Sequence, residues 1–220
     1  MFSTPTTSHV DYDRVYEPSE DSFLFLDLLQ AEQPFLQKYF ASSSSFGSPI
    51  VVELGIGTGV VITFVHNYIL PDALFLGTDV NPYACTSALA TSLANRGTRY
   101  FEVIRTNLMD SLKPNLVDLL LFNPPYVPDD SLPSYESAMQ SDDWLDFALL
   151  GGPDGMKITS VVLENLDSIL SARGIAYILF CKRNNPQAVA RQMQLRGWSV
   201  VCIGERKVRW EILSILRFSR

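Results

Sequence analysis

The chain is poor in the residues that build extracellular or metal-stapled proteins. Its 220 residues include three cysteines, Cys85, Cys181 and Cys202, and two histidines, His9 and His66. The cysteines are odd in number, widely scattered and form no C-x-x-C pair, and neither histidine lies near one. This argues against a disulfide framework and a zinc site, and for a reducing compartment. No metal ligand set is expected. The expected residence is the cytoplasm, with a nuclear share left open. Long apolar runs are also missing: Leu119 to Phe122 and Ile175 to Cys181 fall far short of the ~20 residues that span a bilayer. The first residues carry Asp11, Asp13, Glu17 and Glu20 instead of the basic-then-apolar pattern of a signal peptide. Basic side chains are scarce up to residue 150, with 6 against 19 acidic ones. Residues 151–220 hold 11 against 5, and the net charge is −7. An acidic chain does not draw nucleic acid as a whole, although a basic half could. Solvated helix faces of different sign account for the split as well.

What is present is an ordinary globular composition, 47% hydrophobic and 19% charged, long enough for one core. From about residue 50, strand-like and helix-like segments alternate, which predicts an α/β, doubly wound, mostly parallel sheet. The spacing predicts strands at Ile50–Leu54, Leu74–Thr78, Tyr100–Arg105, Val117–Phe122 and Ile175–Cys181. Helices are expected over about 58–69, 82–95 and 156–170, the last with Ile158, Val161, Val162, Leu166 and Ile169 on one face. Asn81-Pro82 and Asn185-Pro186 each supply an N-cap and a first-turn proline. Two closing strands, about 199–204 and 211–218, joined by Glu205 to Trp210, should run antiparallel. Residues 1–49 are an N-terminal extension with a helix beginning near Ser19 and a mobile Ser-rich linker, Ser42 to Pro49. Residues 50–220 form the main domain. Residues 127–150, rich in Asp, Ser and Pro, make a connection of a length associated with function or disorder.

Two clusters at the strand ends carry chemistry. Glu53-Leu-Gly55-Ile-Gly57-Thr-Gly59 follows the first strand and opens a helix, where glycines let the backbone turn and approach a ligand. Such a turn alone also serves local purposes. Asp79 ends the second strand, about 20 residues on, where an acid can accept from both hydroxyls of a ribose. The G-x-G-x-x-G of dinucleotide enzymes and the Walker lysine are absent, which argues against a pyrophosphate. Glu53 suits a cationic ligand and repels phosphate. The expected cofactor is S-adenosylmethionine. Asn123-Pro124-Pro125-Tyr126 follows the fourth strand, and its two prolines stiffen the backbone. The Asn123 side-chain carbonyl and the Pro124 backbone carbonyl could then grip both hydrogens of an NH2 group, with Tyr126 stacked on the planar group. Alignment of this kind is worth up to ~7–11 kcal/mol.

The sequence resembles the HemK/PrmC glutamine methyltransferases. The resemblance lies in the glycine turn with Glu53, in Asp79-Val80-Asn81-Pro82 and in Asn123-Pro-Pro-Tyr126. Tyr16-Glu17-Pro18-Ser-Glu-Asp21-Ser22 and Trp144 to Gly155 resemble the short eukaryotic branch, its fungal members especially, and the likeness runs from about Asp11 to Phe218. It implies a Rossmann-like class I methyltransferase fold: a seven-stranded, mostly parallel sheet with one antiparallel strand near the C-terminus. It implies transfer to the glutamine amide nitrogen in the Gly-Gly-Gln motif of the class I translation termination factor. It implies Asn123, Pro124 and Tyr126 as catalytic residues. It implies a cofactor site of Tyr16, Glu17, Pro18, Asp21, Glu53, Gly55, Gly57, Gly59, Asp79, Val80, Asn107, Leu108 and Asn123. Where the family usually has an Asp that contacts the adenine amino group, this chain has Asn107, which keeps an acceptor carbonyl; Thr106 is its neighbour. A small zinc-binding activator protein is the implied heterodimer partner, with strand Tyr100 to Arg105 as the unprotected edge it would extend.

Glutamine is chemically reasonable, because no general base is needed if the proton leaves after methyl transfer, and grip and alignment then carry the rate. The competing functions are a nucleic-acid methyltransferase acting on a flipped-out exocyclic amine and a ribosome-assembly scaffold that keeps the fold. The acids Asp129, Asp130, Glu136, Asp142 and Asp143 speak against nucleic acid and predict a loop that steers a basic substrate segment.

Overall fold

The computed structural model describes residues 2–41, 47–97 and 100–220. The expected linker falls largely on Ser42 to Phe46, outside the described residues. The seven strands are β1 (Ile50–Leu54), β2 (Leu74–Asp79), β3 (Phe101–Arg105), β4 (Val117–Phe122), β5 (Leu170–Cys181), β6 (Ser199–Val208) and β7 (Glu211–Ser219). They form one sheet in the order β3-β2-β1-β4-β5-β7-β6, in which only β7 runs against its neighbours. The order reverses beside β1, and there the carboxyl ends of β1 and β4 open a crevice of the kind that binds ligands in such sheets.

The parallel strands are apolar on both faces because helices cover both. On one face Val51, Leu119, Leu121, Tyr177 and Leu179 pack under α1 (Glu20–Ala41), α2 (Val60–Tyr68) and α3 (Pro82–Ala94). On the other, Val52, Leu54, Leu120, Phe122 and Ile178 alternate with them and meet α6 (Lys157–Glu164), α7 (Leu166–Ile169) and α8 (Pro186–Leu195). Helix α1 shares this main core through Phe25, Leu29 and Leu36. It is also tied by charge: Tyr177 Oη donates to Glu32 at 2.7 Å, Arg217 pairs with Glu32, and Arg206 pairs with Asp27 and Glu20.

The capping residues act as their types predict. Asn81 accepts from the Tyr83 N–H at 2.9 Å, and Asn185 accepts from the Ala188 N–H. Three expectations need correction. The single helix over 156–170 is two, broken at Asn165, because the Arg196 guanidinium takes up the carbonyls of Leu163 and Glu164 that would otherwise end unsatisfied. The last two strands continue through the charged stretch 205–208 and close with Arg209-Trp210 alone, since the acids of α1 hold Arg206. Residues 127–150 contain two short helices, α4 (Tyr135–Ser141) and α5 (Leu145–Leu149). No helix among the described residues is long and apolar enough to cross a membrane.

Candidate active site

The parallel register of β1 with β2 brings their ends together, pairing Leu54 with Thr78. The glycine turn leaves β1 with Gly55 and Gly57 in the left-handed region (φ 60° and 52°), and the Ile56 N–H donates to the Thr78 carbonyl at 2.9 Å. A Cβ on Gly57 would meet nothing within 4 Å, so this backbone borders open space that a ligand can occupy. Asp79 holds the turn: its carboxylate accepts from the Gly57 N–H at 3.0 Å and the Asn81 N–H at 2.9 Å, while the residue stays half-buried. Burial raises its pKa against the pull of the Gly57, Asn81 and Val80 N–H groups. Glu53, 4% exposed, accepts from the Ile62 N–H at 2.9 Å. Burial pushes its carboxyl well above the usual range despite that hydrogen bond, and the charge of Asp79 adds to the rise.

Asn123 leaves β4 at the opposite lip. Its Nδ2 donates to Asp21 Oδ2 at 3.1 Å, and its Oδ1 is buried with no hydrogen-bond partner. Tyr16 stands next to Asp21; burial, and then the Asp21 charge, push its phenol up to about 12.

One cavity collects most of the expected residues: Tyr16, Pro18, Asp21, Glu53, Gly55, Gly57, Asp79, Val80, Asn107, Leu108, Asn123 and Pro124 all line it. Three do not. Glu17 is exposed to solvent. Gly59 begins α2 at φ 73°, and a Cβ there would stand 2.9 Å from the Ala88 Cβ, so this glycine lets α2 and α3 pack closely. Tyr126 is half-buried against the core, its carbonyl held by Asn184 Nδ2 at 3.3 Å. Burial raises its pKa, and the charge of Asp21 contributes.

Residues 127–150, marked in the sequence by length and acidity, cover one side of the cavity as a lid. Trp144, 2% exposed, lines the cavity with Phe147 and Ala148. Its ring meets Tyr135 edge-on at 5.8 Å, and the Arg105 guanidinium lies 5.5 Å from the Tyr135 ring and 5.6 Å from the Trp144 ring. Arg105 Nη2 also donates to the Tyr135 hydroxyl at 2.7 Å. On the other side Arg14 pairs with Asp142 at 2.9 Å and lies over Tyr83. Asp142, expected among the substrate-steering acids, is thus engaged with Arg14. The signal that could have revealed the lid is a cluster of large aromatics, Tyr135, Trp144 and Phe147, in an otherwise polar loop, since such rings are seldom left in water.

Among the described residues the walls carry three carboxyl side chains, Asp21, Glu53 and Asp79, and no lysine, arginine or histidine. A pyrophosphate would be repelled there. A ligand with cationic centres and a ribose fits, and S-adenosylmethionine has both.

Comparison with known proteins agrees. Residues 35–135 match the family described as Methyltransferase small domain. The chain is 34% identical to the human protein named Methyltransferase HEMK2, over 100% of this chain and 97% of that one. It is 34% identical to the Schizosaccharomyces pombe eRF1 methyltransferase catalytic subunit mtq2, over 100% and 96%. Among solved structures it is similar to the E. cuniculi Mtq2–Trm112 complex, described as responsible for methylation of the eRF1 translation termination factor. There the TM-score is 0.66 at 25% identity, over 94% of this chain and 99% of that one. With this likeness running end to end, and with a glycine turn, an acidic cavity and an Asn-Pro-Pro-Tyr corner converging on one crevice, the chain belongs to the HEMK2/Mtq2 family of methyltransferases.

Proposed function

We propose that this chain transfers the methyl group of S-adenosylmethionine to the side-chain amide nitrogen of the glutamine in the Gly-Gly-Gln motif of eRF1, the class I termination factor. The observation that carries this is the buried, unpartnered Asn123 Oδ1 beside a cavity with acidic and no basic walls. A buried acceptor without a partner is costly unless a ligand supplies the N–H. When bound, the donor supplies an electrophilic methyl group on a sulfonium. Glu53 and Asp79 favour its positive charge and its ribose, and the Gly55–Gly57 backbone allows close approach. Asn123 Oδ1 and the Pro124 carbonyl accept the two N–H groups of the glutamine amide and direct its nitrogen at the methyl. The nitrogen forms the N–C bond as the S–C bond breaks, and its surplus proton leaves to water.

Docking of an activator on the β3 edge belongs to the same proposal; the E. cuniculi relative is described as a complex with Trm112, and the edge itself is argued from the ladder. The Phe75 N–H donates to the Tyr100 carbonyl and the Thr106 N–H to the Asp79 carbonyl. In a parallel ladder the even-numbered residues between them then face β2, and the backbone groups of Phe101, Val103 and Arg105 point outward. Phe101, expected as part of the exposed apolar edge, is buried in the core, so Tyr100, Val103 and Ile104 remain for a partner to cover.

The test is co-expression with the activator, incubation with donor and eRF1, and mass spectrometry of the Gly-Gly-Gln peptide. Methylation at that glutamine, slowed by about 10²–10³ in Asn123→Ala, is the expected result. Label in nucleic acid, with none in the peptide, would favour the exocyclic-amine alternative.

A further inference from the structure

We infer that Asp21 is a positioning residue that fixes which end of the Asn123 amide faces the substrate, and so makes the site selective for a group with two N–H over an isosteric group with none. This rests on the proposed transfer to an amide nitrogen.

Asp21 lies in the first turn of α1 and is 5% exposed. Its Oδ2 accepts from Asn123 Nδ2 at 3.1 Å, and its Oδ1 accepts from the Ser22 N–H at 2.7 Å and lies 3.4 Å from the Ser22 hydroxyl. Both carboxylate oxygens are therefore engaged, and the carboxylate is held in one orientation. An asparagine amide has a donor end and an acceptor end of nearly equal size, so packing alone does not choose between them. A carboxylate accepts only. The NH2 of Asn123 must turn toward it, because the opposite orientation would set oxygen against oxygen at hydrogen-bonding distance. The charge of Asp21 thus dictates that Oδ1 points away from it, and this Oδ1 is the buried atom without a partner.

The selectivity follows. With Asn123 Oδ1 and the Pro124 carbonyl both restricted to accepting, a glutamine NH2 satisfies both. A glutamate side chain of the same shape presents only oxygens and is rejected. A site that must leave buried polar groups unpaired discriminates strongly. In Asp21→Asn the new amide can meet either end of Asn123, so the flipped orientation becomes populated and offers an N–H to the incoming group.

The experiment uses the full chain co-expressed with its activator, as wild type, Asp21→Asn, Asp21→Ala, Asn123→Ala and Asp21→Asn/Asn123→Ala. Turnover is measured on eRF1, with eRF1 carrying glutamate in place of the acceptor glutamine as competitor; donor binding is measured by calorimetry. Asp21→Asn should lower kcat by about 10–100-fold, as loss of an outer partner commonly does. Its donor Kd should stay within about threefold, which is under 1 kcal/mol. The glutamate competitor, weak against wild type, should inhibit the variant, and the Asp21→Asn effect should vanish in the Asn123→Ala background. Asp21→Ala should show the same kcat loss if Asp21→Asn does not fold. A second readout needs no turnover: the Asn123 side-chain NH2 signals in a 15N spectrum should be protected from exchange in wild type and lose protection in Asp21→Asn. Loss of donor affinity with unchanged glutamate discrimination would make Asp21 a donor ligand and overturn the inference. So would NH2 signals indifferent to the substitution. Wild type that leaves the glutamine unmethylated would sink the proposed function alone, since the NH2 signals still decide the role of Asp21.

Discussion

Glu53 and Ile62 are joined by a 2.9 Å hydrogen bond that ties the end of β1 to the first turn of α2 while the carboxyl group itself lines the cavity. The acid caps a helix start, a favourable place for negative charge, yet it does so almost out of reach of water.

That burial has a consequence for pH. The folded chain binds the Glu53 proton more tightly than the unfolded chain, whose ordinary value is 4.5. Stability present below that value is therefore lost as pH rises through the raised one. The melting temperature of the donor-free chain should fall as pH is raised above the ordinary carboxylate range. Glu53→Gln, which keeps an acceptor for Ile62, should flatten that fall while weakening donor binding. Equal pH slopes in the two proteins would remove Glu53 as the cause.

Asp79→Ala should weaken the donor by roughly 2 kcal/mol or more, since in the proposed site it removes the charged acceptors of two ribose hydroxyls. It also frees the Gly57 and Asn81 N–H groups, so the turn should loosen. Asp79→Asn should be milder, because one oxygen remains to accept. Titration calorimetry with both variants checks the order; unchanged affinity in Asp79→Ala would place the ribose elsewhere.

Arg105→Ala should speed donor release rather than slow the chemistry. The guanidinium donates to the Tyr135 hydroxyl and lies 5.6 Å from the Trp144 ring. At ~0.5–1 kcal/mol per contact, their loss corresponds to roughly 5–30-fold in the release rate. Stopped-flow release of a fluorescent donor analogue measures it, and a rate equal to wild type would mean that the lid is held without Arg105.

Val103→Pro should separate complex from fold. The N–H it removes points away from β2, so the internal ladder survives while a pairing strand loses a donor. Size-exclusion chromatography should show the variant folded but no longer co-eluting with the activator. Intact co-elution would move the docking surface off this edge.

The strand ends were legible because their signals are local. Asp79 closes an apolar run, and Asn123 meets two prolines that stop a strand, so both positions follow from sequence. The parallel, doubly wound character of the sheet followed from alternation, while the order of its strands is a property of the fold alone. What stayed hidden depends on contacts with no period. Trp144 sits in a loop where no repeat marks a buried face, and Asp21 meets Asn123 across 102 positions of chain. The turn after the prolines is fastened at the Tyr126 carbonyl by Asn184 from beyond β5, a contact that no local pattern announces. The charged stretch Glu205 to Lys207 resembled a loop until α1 supplied the acids that let a strand carry it.

The attachment of α1 sets an order of events during synthesis. Leu213 and Ile215 of β7 belong to the core that α1 enters, and Arg206 and Arg217 are its ionic anchors. A helix made early must therefore wait for strands made much later, roughly 10–35 s at ordinary elongation rates. During that interval Phe25, Leu29 and Leu36 have no complete surface to rest on, and a nascent chain in that condition is a natural client for chaperones. Asp21 reaches Asn123 only after α1 docks, so the reaction centre is completed only once β7 has been made, and no ribosome-bound fragment lacking β7 should methylate anything.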